Sequence, residues 1–142
     1  MIKLKRILLY LWAGPATLLG LIFVALAWMS RGQVRLVTGV IEVSGGLVTR
    51  FLESGLMMDN AAAMTIGHVV IGRNESDLTW SRQHERVHVA QYERWGALMI
   101  PLYLLFSCWA RLRGGHLYWD NRFEQQAYAQ EGANEFQPSM SP

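Results

Sequence analysis

The stretch HERVHVAQYERWG, residues 84–96, places His84, Glu85 and His88 in an arrangement that can hold a metal ion and run hydrolysis. Residues four apart on a helix lie one above the other on one face, so both imidazoles can offer a nitrogen to the same ion. For zinc that nitrogen would sit about 2.0–2.1 Å away. Glu85 is rotated by about 100° from His84, so it flanks the ion, where it can take a proton from a metal-activated water. Gln91, three residues beyond His88, falls near the same face. A catalytic zinc site typically takes three protein ligands and leaves one position open, so the motif needs a partner. His116, Asp120, Glu124 and Glu131 are the downstream candidates. Glu124 is the expected ligand, because a predicted helix fixes its direction and Ala127 one turn on lets that helix approach closely. His116 sits among glycines and suits a role in polarising a substrate carbonyl, whereas Glu131 is near a fraying end. The same letters also fit a plain surface helix with Glu85 paired to Arg82. Val87, Val89 and Ala90 speak against that, since they set the histidine face beside an apolar one, where an unpartnered polar group is costly to bury.

The elements that must position these residues follow from pattern and punctuation. Asn74 or Ser76 can cap a helix over 74–95, with Glu75 and Asp77 at its positive end and Gly96 at its stop. Upstream, 33–46 alternates and is β-branched, which reads as a strand ending at Gly45-Gly46. A short amphipathic helix over 47–55 closes at Gly55. MMDNAAA, 57–63, reads as a loop, and 63–73 as a second strand. The apolar run 97–110, closed by Arg111 and Arg113, is about 14 residues, short of the roughly 20 a membrane crossing needs. It reads as a buried or interfacial helix with Pro101 in its first turn. A last helix spans 118–132 with Asp120 or Asn121 as cap, and the tail 134–142 is expected to be loose.

A chain of 142 residues holds one domain at most. Lys3, Lys5 and Arg6 precede an uncharged apolar run, 7–30, long enough to cross a bilayer. Residues 1–30 are therefore expected to form a membrane anchor. A cleaved signal peptide using Ala25-Leu26-Ala27 is the alternative, but the run is long for one. The cations before it, set against Arg31 and Arg35 after it, orient the body toward the outer, periplasmic side of a bacterial inner membrane. A net charge of +2 with scattered arginines gives no nucleic-acid interface. Cys108 is the only cysteine, which excludes an internal disulfide and a thiol-rich metal site.

The combination AMTIGHVVIGR, HERVHVAQYERWG and DNRFEQQAY resembles the gluzincin metallopeptidases, in particular small bacterial domains with an H-E-x-x-H-x-x-Q helix and a later helix bearing Glu. The likeness covers roughly 62–131. It implies an α+β architecture in which the N-terminal transmembrane helix precedes a minimal zincin-like domain over 31–133. By that likeness His84, His88 and Glu124 bind Zn(2+) and Glu85 is the general base. It also implies that a substrate backbone lies along Thr65 to Val70, which brings Gly67 and His68 to the substrate. His116, Tyr92 or Tyr128 would steady the oxyanion. One departure is visible: the better-known gluzincins often carry an Asp four residues after the ligand Glu, and here that position is Tyr128. The expected function is a membrane-anchored zinc endopeptidase acting on peptides or proteins near the lipid surface. The alternative is a non-catalytic membrane protein whose structural zinc staples a binding or chaperone-like partner.

Overall fold

The computed structural model describes residues 2–56 and 61–135, and its architecture is α+β with one four-stranded sheet. Two tight hairpins build that sheet. β1 (Gln33–Val37) and β2 (Val40–Ser44) are joined by Thr38 and Gly39, whose φ angles of 47° and 82° meet the requirement of a type I′ turn. β3 (Ala63–Ile66) and β4 (Val69–Gly72) are joined by Gly67 and His68, with Gly67 at φ 63°. Each stretch read as a single strand is therefore a hairpin, folded back at a two-residue turn inside a continuous run of strand-forming residues. The order is β1-β2-β4-β3, with β2 and β4 parallel and the other neighbours antiparallel, so β3 is an edge.

Both faces of the sheet are covered. α4 (Glu75–Trp95) lies on one, where Leu78 and Val89 pack with Val40, Ala63 and Val70. Its start is fixed by Asn74, whose Oδ1 accepts the Asp77 N–H at 2.8 Å, and its end by Gly96 at φ 58°. A single 3₁₀ turn leads into α5 (Met99–Leu112), and α6 (Arg122–Glu135) returns to pack against α4. Asn121, fully buried, opens α6 by accepting the Phe123 N–H. It also donates to the Tyr103 carbonyl and to Ser107 Oγ on α5. The helix continues past Gly132 to Glu135; the rest of the expected tail and residues 57–60 of the expected loop lie outside the described residues.

The N-terminal run differs most from expectation. It is two helices, α1 (Ile2–Trp12) and α2 (Gly14–Met29), meeting at 75°. Pro15 supplies the reason: it has no N–H to give and its ring clashes with the carbonyl a turn earlier, so a helix running through it breaks. At 1.5 Å per residue α2 is about 24 Å long, short of a roughly 30 Å hydrocarbon core. Nor is this segment separate from the body. With α3 (Leu47–Glu53), α2 covers the second face of the sheet, where Val24 and Ala27 pack with Val43, Val48, Leu52, Val69 and Ile71. Within the expected anchor 1–30, α2 thus packs on the sheet of the body expected over 31–133.

Gly20 marks the closest approach, for a Cβ there would meet Ile66 O and Val69 Cβ at 2.7 Å each. The backbone oxygen cannot give way cheaply. Gly20→Val is expected to lower unfolding stability by roughly 1–3 kcal/mol or more, measured by denaturant titration, and an unchanged midpoint would remove α2 from the core.

Candidate metal centre

His84 and His88 stand one turn apart on the buried side of α4, and α6 brings Glu124 across to them. His84 Nε2 lies 3.1 Å from Glu124 Oε2 and 3.1 Å from His88 Nε2, and His88 Nε2 lies 3.3 Å from the same carboxylate oxygen. All three residues are at least nine-tenths buried. Four ligands tetrahedrally arranged at 2.0–2.1 Å from an ion are about 3.3–3.4 Å apart, so these separations suit one shared cation.

Hydrogen bonding around the centre makes the same point. Gln91 donates its amide N–H groups to the Phe123 carbonyl and to Gln126 Oε1, which leaves its Oε1 to accept from His88 Nδ1 at 2.8 Å. A neutral His88 that donates from Nδ1 presents a lone pair at Nε2. That lone pair faces a carboxylate oxygen and a second imidazole nitrogen. A proton can satisfy one pair of these donors at a time, whereas a metal ion satisfies all three. The buried group could therefore hold a metal ion.

The titration behaviour follows from this crowding. Burial would push the Glu124 carboxyl up, but hydrogen bonds from both imidazoles and Tyr103 hold it at about 2. Burial would lower His88, yet the hydrogen bond and charge of Glu124 raise it to about 9. In metal-free protein the His88 contribution to stability is complete below its ordinary value of 6.5 and disappears as pH rises through about 9. Thermal scans of chelator-treated protein are expected to show Tm falling over that window, and a flat profile would exclude the His88–Glu124 pair as a stabilising contact.

Glu85 is turned inward beside the three donors and is 5 % exposed. Burial raises its pKa, and Thr65 Oγ1 donates to its Oε2 at 2.6 Å. The surface pair with Arg82 does not form; Arg82 instead grips Glu42 with two bonds of 2.9 and 3.0 Å. Tyr103 donates to Glu124 Oε1 at 2.6 Å, which fixes the other oxygen toward the imidazoles. The side-chain roles of Thr65 and Tyr103 were not read from the sequence. Thr65 was placed in the expected substrate strand for its backbone alone, and Tyr103 in a run scored for hydrophobicity. Tyr128 lies four residues after Glu124 and packs its ring, tilted by 52°, 4.4 Å from that of His84. Seven residues after Glu124, Glu131 brings Oε2 to 3.4 Å from His84 Nδ1. It stands where a carboxylate can orient that ring, and His84 Nδ1 has no hydrogen-bond partner among the described residues. Glu131→Ala is expected to weaken metal binding by about 10–100-fold in chelator competition; an unchanged affinity would exclude it as an orienting group.

Two cavities open on this centre. One, of about 600 Å³, is lined by polar and aromatic residues including Trp80, Ser81, His116, Trp119 and Glu131. The other, of about 440 Å³, is walled by apolar side chains of α2 and α5 and by β3. His84, Glu85, Ala63 and Tyr118 line both. Tyr118 shares its hydroxyl with Tyr128 at 3.0 Å, and both stand at the first cavity. His116 lines it too, with Nδ1 accepting the Tyr118 and Trp119 N–H groups. Tyr92 is buried against the second cavity.

Gly67 and His68 line neither cavity. His68 instead packs its ring 4.1 Å from Tyr10, contacts Glu93 at 3.1 Å, and takes the Thr17 hydroxyl on its backbone N–H. A Cβ on Gly67 would collide with Thr17. These two residues tie the β3–β4 turn to the α1–α2 corner. The likeness placed them at substrate because it treated 63–73 as one edge strand, whereas only β3 borders the centre. No family model, curated protein or solved structure matches the chain, and the chemistry of the centre rests on its own side chains.

Proposed function

We propose that this chain is a membrane-associated zinc endopeptidase. The observation that carries the reading is the convergence of three buried electron-pair donors beside a fourth group, Glu85, that does not join them but faces the same cavities. Zinc held by His84, His88 and Glu124 would polarise a peptide carbonyl and make a neighbouring water acidic near neutral pH. Glu85 is the group that would take a proton from such a water and pass it to the leaving amine. Thr65 steers the acceptor oxygen.

The edge strand supports a peptide substrate. In a two-residue hairpin the pair flanking the turn exchanges its hydrogen bonds, so Ile66 and Met64 face β4 while Ala63 and Thr65 turn their N–H and C=O groups outward. No other strand covers that edge among the described residues. An extended backbone can pair there, next to Glu85. Tyr118, at the border of both cavities, is the hydroxyl best placed to meet the oxyanion.

Membrane association is supported by apolar surface and by charge. Leu8 and Leu11 on α1, Leu18 and Ile22 on α2, and Leu105 and Leu112 on α5 are all more than half exposed. Every formally charged side chain in 1–41 and in 94–119 is cationic: Lys3, Lys5, Arg6, Arg31 and Arg35, then Arg94, Arg111 and Arg113. Exposed apolar side chains and a cationic excess along the same stretches of chain suit an anionic bilayer such as a bacterial inner membrane.

A purely structural zinc staple would leave Glu85 buried with no task, which favours the catalytic reading. Elemental analysis of protein purified without a histidine tag is expected to give close to one zinc per chain, lost in His84→Ala. Less than one metal per ten chains would overturn the assignment.

A further inference from the structure

The two cavities differ in character, the one between α2 and α5 being the more apolar, and they share a border at the metal centre. On the apolar side the walls are Leu19, Ile22 and Phe23 from α2 and Met99, Ile100 and Leu104 from α5. Leu19, Ile22 and Leu104 are 50–56 % exposed, so the mouth of this cavity is open and rimmed by apolar side chains. The wider cavity on the other side carries Ser81, His116 and Glu131 at its lining and Trp80, 78 % exposed, at its rim. Ala63, whose main chain points outward from the edge, lines both, as do His84 and Glu85. A chain laid along β3 therefore has water-compatible surroundings on one side of the centre and lipid-compatible surroundings on the other.

From this we infer that the substrate is a polypeptide cut where an apolar, membrane-resident stretch gives way to a polar one. The apolar stretch enters between α2 and α5, from the face that rests on the bilayer. Its large side chains fill the 440 Å³ cavity, while the polar continuation leaves through the wider one. The scissile bond then lies over Glu85, at the boundary. The inference rests on the peptidase reading above and adds to it the class of bond and the route of entry.

The test uses the full-length, zinc-loaded chain in vesicles of phosphatidylethanolamine and phosphatidylglycerol. Two synthetic peptides of equal length are compared, one with a leucine-rich segment joined to a polar tail, the other polar throughout. Turnover of the boundary peptide is expected to exceed that of the polar one by at least tenfold in kcat/KM, with fragment masses placing the cut within about two residues of the junction. Ile22→Trp and Leu104→Trp, which fill the cavity, are expected to reduce that preference at least tenfold. Equal turnover of the two peptides, or a cut far from the junction, would overturn the inference while leaving the peptidase reading standing. If neither peptide is cleaved, the peptidase reading falls, and the entry route is judged by binding. Zinc-loaded Glu85→Gln should bind the labelled boundary peptide in fluorescence anisotropy at least tenfold more tightly than the polar one. Equal or absent binding overturns the route. Should either Trp variant fail to fold, Ile22→Ala, which enlarges the mouth, must change the peptide preference; no change counts against the inference.

Discussion

Glu85→Gln is expected to reduce peptide hydrolysis by about 10²–10⁴-fold while leaving bound zinc at one per chain. The two halves of that expectation have separate physical causes. Gln is the same shape as Glu, and its carbonyl oxygen can still accept from Thr65 Oγ1, which lies 2.6 Å from Glu85 Oε2. The three donors that face one another are His84, His88 and Glu124, so the ion loses no ligand. What disappears is a group able to accept a proton. Replacing a buried ionisable side chain by a neutral one also removes a desolvation cost, so the variant should be at least as stable as the parent. Measuring kcat/KM and metal content on the same preparation checks both halves. A residual rate within tenfold of the parent would take Glu85 out of the chemistry.

Removal of residues 1–30 is expected to leave a chain that cannot fold cooperatively. α2 covers Val43, Val48, Leu52, Val69 and Ile71, every one of them at most 3 % exposed. Uncovering five such side chains costs roughly 8–15 kcal/mol at 1.5–3 kcal/mol each, an upper figure that is comparable with the whole stability of a small domain. His68 would lose Thr17 and Tyr10 as well, and with them the support of the β3–β4 turn. Circular dichroism and a urea titration of residues 31–142 would read the outcome. A sharp unfolding transition with zinc still bound would mean that α2 only decorates the sheet.

Some of this was legible in the chain and some was not, for reasons that can be named. α4 declared itself because helix ends have local chemistry: Asn74 caps one end and Gly96 closes the other, and both act within a few residues of themselves. His84 and His88 followed, since four residues make one turn. Glu124 needed only a second helix and a small residue, Ala127, to let it come near; Ala127 is fully buried. The hairpins were harder, because Thr38-Gly39 and Gly67-His68 are weak turn signals set inside continuous runs of strand-forming residues. Tyr103 could not be read at all. Its role depends on where α5 lies against α6, and that is a long-range fact held by the bonds of Asn121. The 75° break at Ala13 follows from Gly14-Pro15 within 7–30. The packing of α2 against the sheet is a long-range fact that hydropathy does not encode.

Tyr103 has one more consequence. Its ring belongs to the wall of the apolar cavity, and its hydroxyl holds Glu124 Oε1. If His84, His88 and Glu124 hold a metal ion as proposed, an occupant that shifts the ring would also shift the carboxylate beside that ion. Any such coupling would be reciprocal, each ligand altering the other's dissociation constant by one common factor. A phenol in the middle would then let cargo and ion sense one another.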